Sequence, residues 1–210
     1  DRAGSQWIDL SCAQARRRLR RAGECAAQAM TADPQGAQRS CGTCTLCCKL
    51  LRIAEIDKPH GVWCSHARPG QGCAIYADRP KECRTFHCGY LAAPDLPDDW
   101  HPVKSKIVLV AEPGGGVTAV VDPGRADAWR QEPYYSRLKA WAADVVQRRQ
   151  GVLVRIGRRT IAVLPDRDID LGIMDSGEKV LVEQISGPRG VTYSARRAGA
   201  VAAAPAESAR

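Results

Sequence analysis

The apolar and polar positions of this chain follow two different patterns, which change near residue 103. Beyond that point, apolar residues fall into short runs separated by turn residues. The runs 106–111 (KIVLVA) and 117–122 (VTAVVD) flank Glu112-Pro113-Gly114-Gly115-Gly116, which predicts a hairpin. Residues 127–150 then read as helical with a break at Pro133. Tyr135, Leu138, Trp141, Ala142 and Val145 recur there at spacings of three and four and form one apolar stripe. A second strand pair is expected at 152–156 and 160–164, turning at Gly157-Arg158, with further strands at 179–185 and 191–195. This half predicts an antiparallel sheet packed with one long helix.

Before residue 103 no such periodicity is found. Residues 41–102 carry Pro at 59, 69, 80, 94, 97 and 102 and Gly at 42, 61, 70, 72 and 89, which predicts a loop-rich segment. Short helices are expected from Leu46 to Ile53 and from Arg79 to Thr85, with Pro80 in a first turn. Residues 11–30 have helical composition, a possible Ser11 cap and an arginine-rich face, and 31–40 read as a linker. That helix reads as solvated; Ala opposite the arginines argues against a membrane-surface role. The expected organisation is a basic extension and linker (1–40), a cysteine-cluster module (41–102), an α+β sheet and helix region (103–198) and a disordered tail (199–210). The fold class expected for the whole is α+β, a loop-rich metal module followed by the sheet.

The cysteines change the picture. Eight of the ten lie within residues 41–88: Cys41, Cys44, Cys47, Cys48, Cys64, Cys73, Cys83 and Cys88. The first four read C-x2-C-x2-C-C. Cys12 and Cys25 lie apart and read as spare thiols. No apolar segment is visible in residues 1–10, so no secretory signal is expected, and a thiol-rich cytoplasmic chain follows. In a reducing compartment such thiols point to metal rather than disulfides. A C-x2-C pair brings two sulfurs to one ion, and Zn²⁺ takes four at about 2.3 Å. The triplet Cys41, Cys44 and Cys47 equally matches the thiolate run of a [4Fe–4S] site. Adjacent Cys47 and Cys48 diverge, so they point to two centres. The cofactor expected is therefore zinc or an iron–sulfur cluster. His60, His66, His87 and His101 are alternative donors, with His66 and His87 the nearest to cysteines. Lys49 and Lys81 read as solvated charges, and Arg79 and Arg84 as donors to sulfur.

These blocks carry a family resemblance. CGTCTLCC (41–48), WC-x-H (63–66), CAIYADRPKECR (73–84) and FHCGYL (86–91) resemble the YkgJ-type cysteine-cluster family, described as zinc- or iron-chelating. The resemblance implies that all eight cysteines of 41–88 are metal ligands, with Tyr76, Arg79, Pro80 and Arg84 as framework residues around them. The block 122–135 looks like a segment of longer bacterial members. A flagellin lysine methylase is among the relatives.

Net charge is +8, spread thinly: residues 41–102 carry seven basic and seven acidic groups, and no concentrated basic face for nucleic acid is evident. No apolar run is long enough to span a membrane. Dinucleotide, P-loop and zinc-protease motifs are absent. Asp166, Asp168 and Asp170 read as a solvated acidic turn rather than a Ca²⁺ loop. The function expected is metal binding in a structural or accessory role, with a protein partner or protein substrate. The alternative is an iron–sulfur or metal-dependent enzyme acting in protein or peptide modification. A weaker third reading is a redox-sensing thiol switch.

Overall fold

A computed structural model describes residues 39–198 apart from 176 and 189. The expected helix at 11–30, nearly all of the linker and the tail lie outside the described residues. Regular structure in the cysteine segment is sparse. Helix α1 (Leu46–Leu50), the two-stranded ribbon β1 (Ala67–Arg68) and β2 (Gly72–Cys73), and helices α2 (Lys81–Thr85), α3 (Gly89–Ala92) and α4 (Pro102–Ser105) are joined by turns. Pro80 stands just before α2, where its missing N–H costs no helical bond.

The sheet follows: β3 (Ile107–Ala111), β4 (Val117–Val121), β5 (Val152–Ile156), β6 (Arg159–Val163) and β7 (Asp168–Ile173), in that spatial order. Helix α5 (Tyr134–Val145) lies between β4 and β5 in the chain. The fold is α+β, but the sheet is mixed rather than antiparallel. β4 and β5 pair in parallel, with Val117 opposite Val152, while the other three pairings are antiparallel. The segment that links them contains α5, and a helical crossover of that length returns the chain to the same sheet end, so the next strand runs parallel. Strands β8 (Val180–Gly187) and β9 (Gly190–Arg197) form a separate ribbon. Its base packs Val182 on Val146 and Leu164.

The predicted stripe of α5 is its inner face. Leu138, Ala142 and Val145 are buried, with Tyr135 and Trp141 partly covered. β7 replaces the expected acidic turn. Asp168 pairs with Lys139 of α5 at 2.8 Å, and Asp170 with Arg159 of β6 at 2.5 Å. These carboxylates are used along an edge strand, where a charged side chain also discourages further pairing.

One hydrophobic core serves both halves of the described chain. Leu46 and Leu50 of α1, Tyr90 of α3, Leu96 and Trp100 pack in the same cluster as Ile107, Leu109, Val121, Trp129 and Leu138. Trp100 meets Tyr134 edge-on at 5.0 Å and Trp141 at 5.2 Å. The loop-rich segment thus contributes apolar side chains to a core it does not build alone. Leu138→Ala is expected to cost about 2–5 kcal/mol through the cavity it leaves. Ile185→Ala, half-exposed on the ribbon, is expected to change stability by less than about 0.5 kcal/mol. Chemical denaturation of both variants measures the contrast.

Candidate metal centre

Each cysteine is placed by a local device. Cys44 N–H donates to Cys41 O at 2.8 Å, closing a turn in which Gly42 has φ +50°. Cys47 and Cys48 ride on α1, whose Leu46 and Leu50 anchor it in the core. Cys64 N–H reaches back to Cys48 O at 3.0 Å. Cys73 ends β2 and pairs with Ala67. Gly72, at φ +104°, lies so close to the first turn that a Cβ would stand 2.8 Å from Gly42 O. Cys83 rides on α2. Glu55 accepts from the Lys81 and Glu82 amides at the start of that helix, at 2.8 and 2.6 Å. The Glu82 carboxylate accepts in turn from Ala54 N–H at 2.7 Å. Cys88 precedes α3, which sits close on β3: a Cβ on Gly89 would stand 2.7 Å from Leu109 Cβ.

These devices bring all eight cysteines to the wall of one cavity of about 230 Å³. Every one is a free thiol. They fall into two neighbourhoods. Cys44, Cys47 and Cys88 pack against the large core, and Cys41 acts electrostatically on all three. Cys48, Cys64 and Cys83 pack with Ile53 and Ala67, and Cys73 acts on Cys83. Among the described residues, no three His, Cys, Asp or Glu side chains already form a group that could hold a metal ion. What fits a metal is therefore the donor set and its shared cavity, not a preformed coordination polyhedron. Coordination requires the thiols to turn about their Cα–Cβ bonds between staggered rotamers.

Electrostatics sets the second neighbourhood apart. The hydrogen bond between Cys47 and Cys48 is the main cause that lowers the Cys48 thiol to about 7; burial opposes it, and Lys58 and Arg79 add to it. Cys47 is pushed up by the same hydrogen bond and by burial. Burial raises Cys44, Cys88 and Cys83 as well, and the last also feels Cys48, Cys64 and Cys73. Lys58 is only 6% exposed. Its Nζ donates to Lys49 O at 3.1 Å and to Leu51 O. Burial pushes the ammonium down, and the thiols of Cys48, Cys64, Cys47 and Cys83 pull it back up. Arg79 stacks on the Tyr76 ring, 3.7 Å from its centroid, and its buried Nε has no hydrogen-bond partner.

The other residues singled out in the sequence divide. His66 and His101 line the cavity. His101 accepts from Val103 N–H at 3.3 Å and caps α4, while His87 is exposed beside Thr85 O. Arg84 and Lys81 are exposed. Lys49 is not a solvated charge: it pairs with Asp122 at 2.7 Å and ties α1 to the end of β4. Burial raises the Asp122 carboxyl, but Lys49 and the Gly124 amide outweigh it and leave it below its ordinary value. Lys58 escaped the sequence reading, because nothing in Asp57-Lys58-Pro59 marks that side chain as internal.

No family model, curated protein or solved structure matches this chain. The resemblance to the cysteine-cluster family therefore rests on the order and spacing of its motifs. No described helix is long and apolar enough to cross a membrane.

Gly72→Ala is expected to cost at least about 1 kcal/mol, since the new Cβ meets backbone in a conformation L residues avoid; thermal unfolding measures it. The Glu55 carboxyl is held low by its bonds to the Glu82 and Lys81 amides. Its contribution is present above the unfolded carboxyl range and is lost as pH falls through the lowered folded value. Glu55→Gln should therefore be less stable than the parent at neutral pH and equal to it in strong acid, as read by denaturation midpoints across pH.

Proposed function

We propose that the chain binds metal through Cys41, Cys44, Cys47, Cys88 as one centre and Cys48, Cys64, Cys73, Cys83 as a second. The observation that carries this reading is the convergence of all eight thiols, from 41–48 and four later positions in the chain, on one cavity wall. The division between centres follows the two apolar neighbourhoods. It assigns adjacent Cys47 and Cys48 to different centres, although their thiols hydrogen-bond to one another on α1. A buried ammonium and a buried, unpartnered guanidinium Nε beside the thiols support ionised sulfur. The motif resemblance to the YkgJ-type family points the same way.

Zinc or an iron–sulfur cluster suits an all-thiolate donor set. When bound, the metal supplies cross-links to a segment with little regular hydrogen bonding. A closed four-thiolate zinc site is structural in character, so the role proposed is to hold 41–91 in shape. The chain's own residues orient the sulfurs, stabilise their charge and exclude water by packing.

Metal analysis with a visible spectrum on anaerobically purified protein tests the reading. Colourless protein with two equivalents of zinc is expected of the structural form. A brown protein whose broad band bleaches on reduction identifies a cluster and shifts the role toward electron transfer or protein modification. Cys44→Ser and Cys83→Ser should each lose one centre and keep the other. Metal-free yet fully ordered, unoxidised protein would falsify metal binding.

A further inference from the structure

We propose that Lys58 is the internal counter-ion of the Cys48, Cys64, Cys73 and Cys83 group, with Arg79 as its second cation. The inference rests on the metal-binding reading and adds a charge-balancing device that the ligand set does not contain. Lys58 is the only lysine among the buried residues described. A buried ammonium is strongly disfavoured unless an opposite charge compensates it. Its Nζ is held by the Lys49 and Leu51 carbonyls, its bridge partner Ile53 packs with Cys48, Cys64 and Cys83, and the thiols of Cys48, Cys64, Cys47 and Cys83 favour its charge. Three of those four belong to the second centre.

The chain holds this side chain in place from several directions. Ile53 and Lys58 exchange backbone hydrogen bonds of 2.9 and 3.0 Å, forming a two-residue bridge that turns Lys58 inward beneath α1. The Lys49 and Leu51 carbonyls then fix Nζ. Arg79 lines the same cavity as the cysteines. Its guanidinium lies flat on Tyr76, and its effect reaches Cys48 and Cys83. Its unpartnered Nε–H is a donor ready for a sulfur acceptor.

Charge balance gives the device its meaning. Four thiolates around a divalent ion carry a net charge of about −2. One ammonium and one guanidinium cancel that charge. Cys44, Cys47 and Cys88 of the first group pack against apolar core, and among the described residues Lys58 is the only buried lysine. The two centres should therefore differ in how firmly they hold metal, and Lys58 should stabilise only the second.

A competing role is structural. Lys58 caps carbonyls at the C-terminal end of α1, and any protein would lose stability on losing such a cap. The test separates the two. The full chain is loaded with zinc, and release to excess chelator is followed for the parent, Lys58→Met, Lys58→Arg and Arg79→Gln. Unfolding midpoints of loaded and metal-free protein are measured alongside. Lys58→Met should release one of two zinc equivalents at least tenfold faster and leave the other unchanged. Lys58→Arg should stay within threefold of the parent, and Arg79→Gln should speed the same equivalent at least threefold without disturbing the α1 cap. The midpoint loss in Lys58→Met should be larger in loaded than in metal-free protein, and its effect on release should vanish in a Cys48→Ser background. Equal midpoint losses in both forms with parental release rates in Lys58→Met and Arg79→Gln would overturn the inference and leave metal binding standing. A parent chain that takes up no zinc or cluster overturns the metal reading itself, and this inference with it.

Discussion

The close packing of α1 and α3 on β3 governs the rest of the structure. A glycine at 89 lets α3 approach Leu109 within a distance no side chain would allow, and Leu46 and Leu50 seat α1 in the same core. Those contacts place Cys47, Cys48 and Cys88 on one side of the cavity before any metal is considered. The segment that carries Cys64, Cys73 and Cys83 is then brought in by single hydrogen bonds and short caps: Cys64 to Cys48, Glu55 to the start of α2, and Gly72 against Gly42. The wall built on hydrophobic burial is thus more secure than the wall built on turns. Burial of a large aliphatic side chain contributes about 1.5–3 kcal/mol, whereas a single hydrogen bond nets about 0.5–1.5 kcal/mol. The packing is weakest at Cys64, Cys73 and Cys83, which are held by such local contacts rather than by the main core.

Charge divides the thiols differently from packing. The well-packed group is surrounded by apolar side chains, which favour neutral thiols, as the upward shifts of Cys44 and Cys88 reflect. Cys48, on the same helix as Cys47, is lowered by its hydrogen bond with Cys47, to which Lys58 and Arg79 add, while burial raises Cys83 on the loop-built side.

Much of this was legible in the sequence. The hairpin of β3 and β4, the strands β5 and β6, the ribbon of β8 and β9 and the inner stripe of α5 all follow from period-two and period-3.6 patterning. The eight cysteines marked their segment through density and spacing alone. The parallel pairing of β4 and β5 was not legible, because strand direction depends on where a crossover returns, and no single run of residues encodes that. β7 was hidden by its charge. Asp168, Asp170 and the alternating Ile169, Leu171 and Ile173 do keep a two-residue period, but the aspartates resemble a solvated turn until Lys139 and Arg159 are seen opposite them. The loop-rich segment carries few large apolar residues of its own. Its Leu46, Leu50, Tyr90, Leu96 and Trp100 suffice because the sheet supplies the other half of the core.

Lys58 shows why a site can be half visible. Cysteine is recognised as a ligand by type and spacing, so a one-dimensional reading finds it. A lysine is ordinary anywhere on a surface, and its meaning here comes only from being enclosed. The inward turn that encloses it is set by the Ile53 bridge and by Asp57 at φ +50°, a left-handed residue just before it. Asp tolerates that conformation better than most side chains, because its short polar group bonds locally. The pair Asp57-Lys58 thus reverses the chain after α1 and delivers a positive charge to the interior. An apolar residue there would avoid the desolvation cost of the ammonium but would leave the Lys49 and Leu51 carbonyls without their donor. What marks Lys58 is therefore its enclosure: Nζ is held by the Lys49 and Leu51 carbonyls beside the chain that carries Cys48.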